Sequence, residues 1–166
     1  MHELTSAAVP PEAADDHVRG EGPGAVLYMD LACPHCAGVW QRLREVRLRL
    51  CVRHFPIASK RPRSEALHAA AEAGAVQSEA AFWSLWDSLY ADRGHSDDPH
   101  LWQRARAAGL DLDRFERDRR SAAVAERVRR DFRGGIRAGV TATPTAFVSG
   151  ARVKGDLVES LAALAA

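Results

Sequence analysis

An α/β fold is predicted, a βαβ unit and a ββα unit separated by an all-helical insertion, and three observations predict it. Residues 25–53 change hydrophobic period twice, from a continuous apolar run to helical spacing to strict alternation. Residues 58–139 carry helical spacing with no convincing strand. Residues 145–164 return to strand character and then to a helical stripe.

Gly22-Pro23-Gly24 punctuates the chain before Ala25-Val26-Leu27-Tyr28-Met29, a short apolar run that reads as a buried strand. Cys36, Val39, Trp40, Leu43 and Val46 then recur at helical spacing. A helix is expected from Pro34 to about Arg44, with Pro34 in the first turn, where its missing N–H is no loss. Leu48, Leu50 and Val52 alternate with Arg47, Arg49, Cys51 and Arg53 ahead of Phe55-Pro56, which is the pattern of a second strand. Strand, helix and strand with short joints imply a parallel pair with a right-handed crossover.

Ser64 opens an alanine-rich helix that Gly74 is expected to end. Ser78 precedes an amphipathic helix with Phe82, Leu85, Trp86, Leu89 and Tyr90 on one side. Asp97-Asp98-Pro99 offers the next start and Gly109 a stop, and Asp111 or Asp113 begins another short helix. Ser121 opens a longer one carrying Val124, Val128 and Phe132, which Gly134-Gly135 is expected to weaken or break. Thr145-Ala146-Phe147-Val148 reads as a strand, Ser149-Gly150 as a two-residue turn and Ala151 to Lys154 as the return strand. Asp156 is the expected cap of a closing helix with Leu157, Val158, Leu161 and Leu164 on one side. Residues 1–21 are polar and acidic and are expected to form a flexible tail. Residues 22–57 and 140–166 would then make one α/β domain, with 58–139 inserted into it.

Composition excludes several classes. The chain has 166 residues, 46% of them apolar and 27% charged, which suits one soluble globular domain. A net charge of +1 gives no bulk electrostatic case for nucleic acid or an anionic membrane. No apolar run is long enough for a membrane helix, and no basic stretch followed by an apolar one marks a secretory signal, so the cytoplasm is the expected compartment. Three cysteines are too few for a disulfide scaffold.

Two of those cysteines lie in Cys33-Pro34-His35-Cys36, a spacing that serves either zinc or reversible disulfide chemistry. A structural zinc site normally takes four ligands. The remaining candidates, Cys51, His54 and His68, stand at no recognisable zinc spacing, so no metal is expected. The redox reading has a positive argument. The pair falls in the first turn of a helix, where unpaired N–H groups and the helix dipole favour a thiolate. Cys33 is expected to be the exposed nucleophile and Cys36 to face inward one turn on. His35 adds a donor, and a charge when protonated. Further along, Ala142-Thr143-Pro144 leads directly into a strand. Pro144 can be the first residue of an edge strand, a cis proline in a turn, or an ordinary trans loop proline.

With these segments in order, the chain resembles the DsbA-like thioredoxin-fold oxidoreductases. The matching stretches are Asp16-His17-Val18-Arg19-Gly20, Tyr28 through Cys36, Arg53-His54-Phe55-Pro56 and Gly139 through Phe147. The resemblance implies a thioredoxin-like fold and a thiol–disulfide oxidoreductase. It implies that Pro144 is cis and packed on the cysteine pair, that Thr143 offers backbone to substrate, and that Cys36 resolves a mixed disulfide formed on Cys33. Ala142 departs from the glycine usual in the family. No cofactor is implied, because two cysteines carry the electrons. The expected partners are thiol or disulfide substrates, protein or small molecule, and an unidentified redox partner. Two alternatives stay open: a binding module with idle cysteines, and a glutathione-dependent isomerase or transferase.

Other residues receive plainer expectations. Asp30 can relay a proton for Cys36 or make a strand-end turn contact. Cys51 is expected to be a buried inert thiol and His54 to make a structural hydrogen bond. His68, His95 and His100 are expected on helix surfaces or loops. Trp40, Trp83, Trp86 and Trp102 are expected in the core. The arginines between Arg114 and Arg137 read as a solvated, salt-laced face.

Overall fold

The computed structural model describes residues 6–166. Residues 1–5 of the expected tail lie outside the described residues. Strand β1 (His17–Arg19) leads to β2 (Gly24–Met29), helix α1 (Pro34–Leu43) and β3 (Arg49–His54). Helices α2 (Ser64–Gln77), α3 (Glu79–Ala91), α4 (Asp98–Ala107), α5 (Leu112–Asp118) and α6 (Ala122–Arg137) follow. The chain closes with β4 (Thr145–Val148), β5 (Ala151–Arg152) and α7 (Leu157–Leu164). The sheet runs β1-β3-β2-β4-β5. Only β2 and β3 are parallel, with Gly24 opposite Arg49 and Met29 opposite His54. The other pairs are antiparallel.

Local chemistry explains most of the boundaries. Ser78, Asp97, Asp111, Ser121 and Asp156 each accept a backbone N–H as the N-cap of α3, α4, α5, α6 and α7. Ser149 and Gly150 both have positive φ, 49° and 81°, as the tight turn between β4 and β5 requires. Strand β5 stops at Arg152, short of Lys154.

Three expectations are corrected. The tail does not extend to residue 21, because His17, Val18 and Arg19 pair with Val52, Cys51 and Leu50. The segment before it is pinned by buried Arg53, whose guanidinium donates to the Pro10 and Pro11 carbonyls and, at 2.8 Å, to Asp16. Gly74 does not end α2; it lies inside, where a Cβ would stand 2.5 Å from Leu85 Cδ1. Gly134 and Gly135 do not break α6, which runs to Arg137. The inserted helices pack into the same core as the sheet. Leu67, Phe82, Leu85, Trp86, Leu101 and Phe115 share one core with Leu27, Met29, Leu43 and Leu50.

Gly135 is required by packing. A Cβ there would meet the Phe55 ring at 2.7 and 2.8 Å and Tyr28 Cδ1 at 2.9 Å. Both rings are buried and belong to the second core cluster, with Val140 and Phe147. Gly135→Ala is therefore expected to lower stability by about 1–3 kcal/mol, the usual cost of overpacking. At Gly134 the nearest atom would be Pro10 Cγ at 3.4 Å, so Gly134→Ala is the milder change. Urea unfolding of the two variants measures the difference, and equal midpoints would contradict this account.

Candidate active site

The parallel β2–β3 pair delivers the chain from Met29 into Asp30 and then into the first turn of α1. Cys33 is the N-cap of α1, and the Cys36 backbone N–H donates to its sulfur at 3.4 Å. The Thr143–Pro144 peptide is cis and precedes β4. The Cys33 thiol lies 3.8 Å from the Thr143 carbonyl. This loop covers Cys33 so well that only 2% of the residue is exposed, against the expectation of an exposed nucleophile. Cys36 is wholly buried. The two cysteines are free in this structure.

The sulfurs differ sharply in acidity. The Cys36 side chain, by hydrogen bonding to Cys33, is the largest cause that brings the Cys33 thiol down to about 5. Burial opposes this, while the Cys36 backbone, Thr143 and the charge of Arg61 add to it. Burial pushes Cys36 far up, and its hydrogen bond to Cys33 adds to that. One sulfur is therefore a thiolate at neutral pH while its neighbour keeps its proton. The Thr143 hydroxyl is buried and has no other partner among the described residues, which leaves it free for the two sulfurs. Cys51 lies buried on β3, and burial pushes its thiol up to about 12, as befits an inert core cysteine.

Asp30 organises the other side of the pair. Its backbone carbonyl accepts the Cys33 N–H at 3.0 Å and the Tyr90 hydroxyl at 3.1 Å. Its N–H points at Cys36 Sγ, 3.5 Å away. The carboxylate itself turns from the sulfurs. Oδ1 accepts from Ala32 N–H at 2.9 Å and the Ser64 hydroxyl at 2.5 Å. Oδ2 accepts from Ile57 N–H at 3.1 Å and from Arg61 at 3.3 Å. Burial works to raise this carboxyl, but the donors above, the Ser64 hydroxyl and the Ala32 N–H among them, outweigh it and hold the group well below the usual carboxylate range. An acid this strong is a poor proton carrier at neutral pH. The contacts are those of a strand-end hub that ties β2 to the β3–α2 loop.

Beyond Asp30 lies a chain of buried histidines. His68 was expected on a surface and is instead fully buried. Leu31 N–H donates to His68 Nε2 at 3.0 Å, which puts the His68 proton on Nδ1. That nitrogen lies 2.8 Å from His54 Nδ1, so His54 carries its proton on Nε2, 2.9 Å from Glu72 Oε2. His17 Nε2 meets the same oxygen at 2.8 Å, and His17 Nδ1 meets Glu79 at 3.0 Å. Two carboxylates facing both nitrogens make His17 a cation. Burial works to lower its pKa, but the hydrogen bond and charge of Glu72, and then Glu79, overturn this and raise it. Burial brings His68 down to about 4. His17, His54 and Glu72 could in principle hold a metal, since their donor atoms lie within 4.8 Å of one another. The hydrogen-bond pattern accounts for the same atoms without one, and the Arg127 cation stands 3.8 Å from the other Glu72 oxygen.

Helix α1 is fixed from behind. Trp40 Nε1 donates to Asp87 Oδ1 at 2.8 Å, and Arg19 pairs with the other oxygen at 2.8 Å. Trp86 is buried and Trp83 half-buried, but Trp102 is exposed, outside the core expected for it. In front of α1 a groove of about 570 Å³ opens beside Pro144. Pro34, His35, Arg42, Arg152 and Val158 line it, so His35 faces the groove from an exposed position. Ala142 is exposed at the start of the proline loop. Sequence reasoning missed Arg61, Ser64 and Tyr90, which no motif marks.

Among the described residues no helix is long and apolar enough to cross a membrane. The chain is 37% identical over 150 residues to a Na(+)/H(+) antiporter NhaA of Herminiimonas arsenicoxydans, covering 85% of this chain and 23% of that protein. It is 35% identical over 164 residues to Na(+)/H(+) antiporter NhaA 1 of Salinispora arenicola, covering 93% and 25%. It thus spans about a quarter of the length of the curated relatives it matches. The fold is similar to the thiol-disulfide exchange protein alpha-DsbA2 of Wolbachia pipientis, with a TM-score of 0.78 and 16% identity over 89% of this chain and 84% of that one. It is also similar to a thioredoxin-like oxidoreductase from Silicibacter pomeroyi, with a TM-score of 0.75 and 24% identity over 92% and 91%. The fold is thioredoxin-like, and the family model described as the DSBA-like thioredoxin domain matches residues 54–164. By that match the chain belongs to the DSBA-like thioredoxin domain family.

Proposed function

We propose that this chain is a thiol–disulfide oxidoreductase working through Cys33 and Cys36. The observation that carries the reading is the asymmetry of the pair: a helix-cap sulfur brought down to about 5 beside a buried one pushed far up. The Cys33 thiolate attacks one sulfur of a substrate disulfide, forms a mixed disulfide and releases the other sulfur as a thiolate. Cys36 then gives up its proton and attacks the Cys33 sulfur. The second substrate thiol leaves, and Cys33 and Cys36 are joined. Two electrons have passed to the substrate, and the reverse sequence oxidises a dithiol. A stabilised thiolate favours the reduced enzyme, so the couple lies toward the oxidising end.

The Thr143 backbone beside Cys33 and the groove at Pro144 are the proposed substrate surface, with Ala142 and His35 at its edges. The name Na(+)/H(+) antiporter describes those longer proteins. The thiol chemistry is proposed for the segment they share with this chain. The test is thiolate absorbance against pH, together with equilibration against a glutathione redox buffer. Cys33 is expected to titrate near 5, with reversible dithiol–disulfide interchange. Titration near 8.5 without interchange would overturn the proposal. Cys36→Ala is expected to trap mixed disulfides on Cys33.

A further inference from the structure

The active-site motif carries one cationic candidate, His35, but a permanent cation from elsewhere in the chain reaches Asp30, the residue whose backbone holds the pair. Arg61 lies in the loop between β3 and α2. Its Nη1 stands 3.3 Å from Asp30 Oδ2, and its side chain is 25% exposed where Asp30 is wholly buried. Asp30 holds both cysteines through its backbone, by the Cys33 N–H on its carbonyl and its own N–H toward Cys36 Sγ. That carboxylate is a negative charge on the residue whose backbone holds both cysteines, three residues before a developing thiolate, and like charges oppose ionisation. Arg61 is the only full cation bonded to that carboxylate among the described residues; its other donors are the Ser64 hydroxyl and two backbone N–H groups.

We infer that Arg61 is a positioning residue for the thiol chemistry, a cation anchored by Asp30 that offsets the Asp30 charge and stabilises the Cys33 thiolate from outside the Cys-Pro-His-Cys motif. This rests on the oxidoreductase reading above. The groups facing the pair and its Asp30 anchor are Cys36, Asp30, Tyr90, the Thr143 hydroxyl, Arg61, His68, whose Nε2 lies 3.5 Å from Asp30 Oδ1, and, on the outer side, His35. Of these only Arg61 is positive at every pH at which the thiol titrates. The attraction that Arg61 exerts on ionised Cys33 agrees with this role.

The test compares the full chain with Arg61→Gln and Arg61→Lys by thiolate absorbance against pH, with urea unfolding of each as the folding control. Arg61→Gln is expected to raise the Cys33 midpoint by about one pH unit, and Arg61→Lys to restore most of it. The reduction potential of Arg61→Gln should fall by about 30 mV for each tenfold loss of acidity. If Arg61→Gln does not fold, 1 M salt on the wild type gives the same reading. The partly exposed cation is then screened in part, and the midpoint is expected to rise. An unchanged midpoint in Arg61→Gln, or in salt, beside a wild type that titrates near 5 and exchanges disulfides overturns this inference alone. A wild type that titrates near 8.5 overturns the oxidoreductase reading, and this inference with it.

Discussion

Asp30→Asn is expected to cost about 3–5 kcal/mol of stability although it leaves the number of heavy atoms unchanged, the range seen when one partner of a buried charged network is removed. The reason is arithmetic of donors and acceptors. Four donors converge on the Asp30 carboxylate: Ala32 N–H and Ser64 O–H on one oxygen, Ile57 N–H and Arg61 on the other. Asparagine offers one oxygen and one NH₂. Whichever way the amide turns, two donors face another donor in a site with no exposed surface. The affected groups belong to β2, to the β3–α2 loop and to the first turn of α2, so the loss loosens the frame of the cysteine pair as well. Urea unfolding with unchanged slope measures the effect. A loss below about 1 kcal/mol would show that the network relaxes around the amide.

The second large effect concerns pH and Glu72. His17 is raised from its ordinary value of 6.5, so its contribution is fully present below 6.5 and is lost as pH rises through its folded value. His68 is depressed to about 4, so between 6.5 and 4 the unfolded chain takes up a proton that the folded chain refuses. Stability therefore falls as pH drops through that window. Burial works to raise Glu72, but the hydrogen bonds of His17 and His54 outweigh it and hold the group below its ordinary value of 4.5. Its contribution is present above 4.5 and fades below it. With Cys33 and Cys36 joined, so that the low Cys33 thiol does not titrate, the three together place maximal stability near pH 6.5, with losses on both sides. Glu72→Ala leaves the His17 cation and the His54 N–H without their shared oxygen and is expected to cost about 3–5 kcal/mol at neutral pH. It should also flatten the alkaline limb, because His17 loses its main reason to stay protonated. Chemical unfolding of the disulfide form from pH 4 to 9 reads both effects. A profile whose alkaline limb is the same with and without Glu72 would remove His17 as its source.

The particulars show what kind of information the chain carries locally. Caps at Ser78, Asp97, Asp111, Ser121 and Asp156 were legible because a cap is made by a side chain with the backbone two or three residues on. The cysteine pair at a helix start was legible for the same reason, since the sulfur of Cys33 is bonded by the N–H of its own first turn. Gly74, Gly134 and Gly135 misled because their local signal is termination, whereas their use is tertiary. Each lies where a neighbouring element comes close: Leu85 at Gly74, Pro10 at Gly134, and Phe55 with Tyr28 at Gly135.

The sequence by itself determined the βαβ and ββα halves, the helical block between them and the spacing that puts two sulfurs on one helical turn. These follow from periodicity and from bonds between near neighbours in the chain. Only the tertiary structure decided that the segment at His17 is a strand, that His68 is buried, and that Asp30 faces Ser64 and Arg61 rather than the sulfurs. It set the Thr143 carbonyl, 110 residues away in sequence, at 3.8 Å from the Cys33 sulfur. Each of these turns on burial and charge contributed by distant segments. The acidity of Cys33 needs both, a helix start written locally and the Thr143 and Arg61 neighbours that only folding supplies.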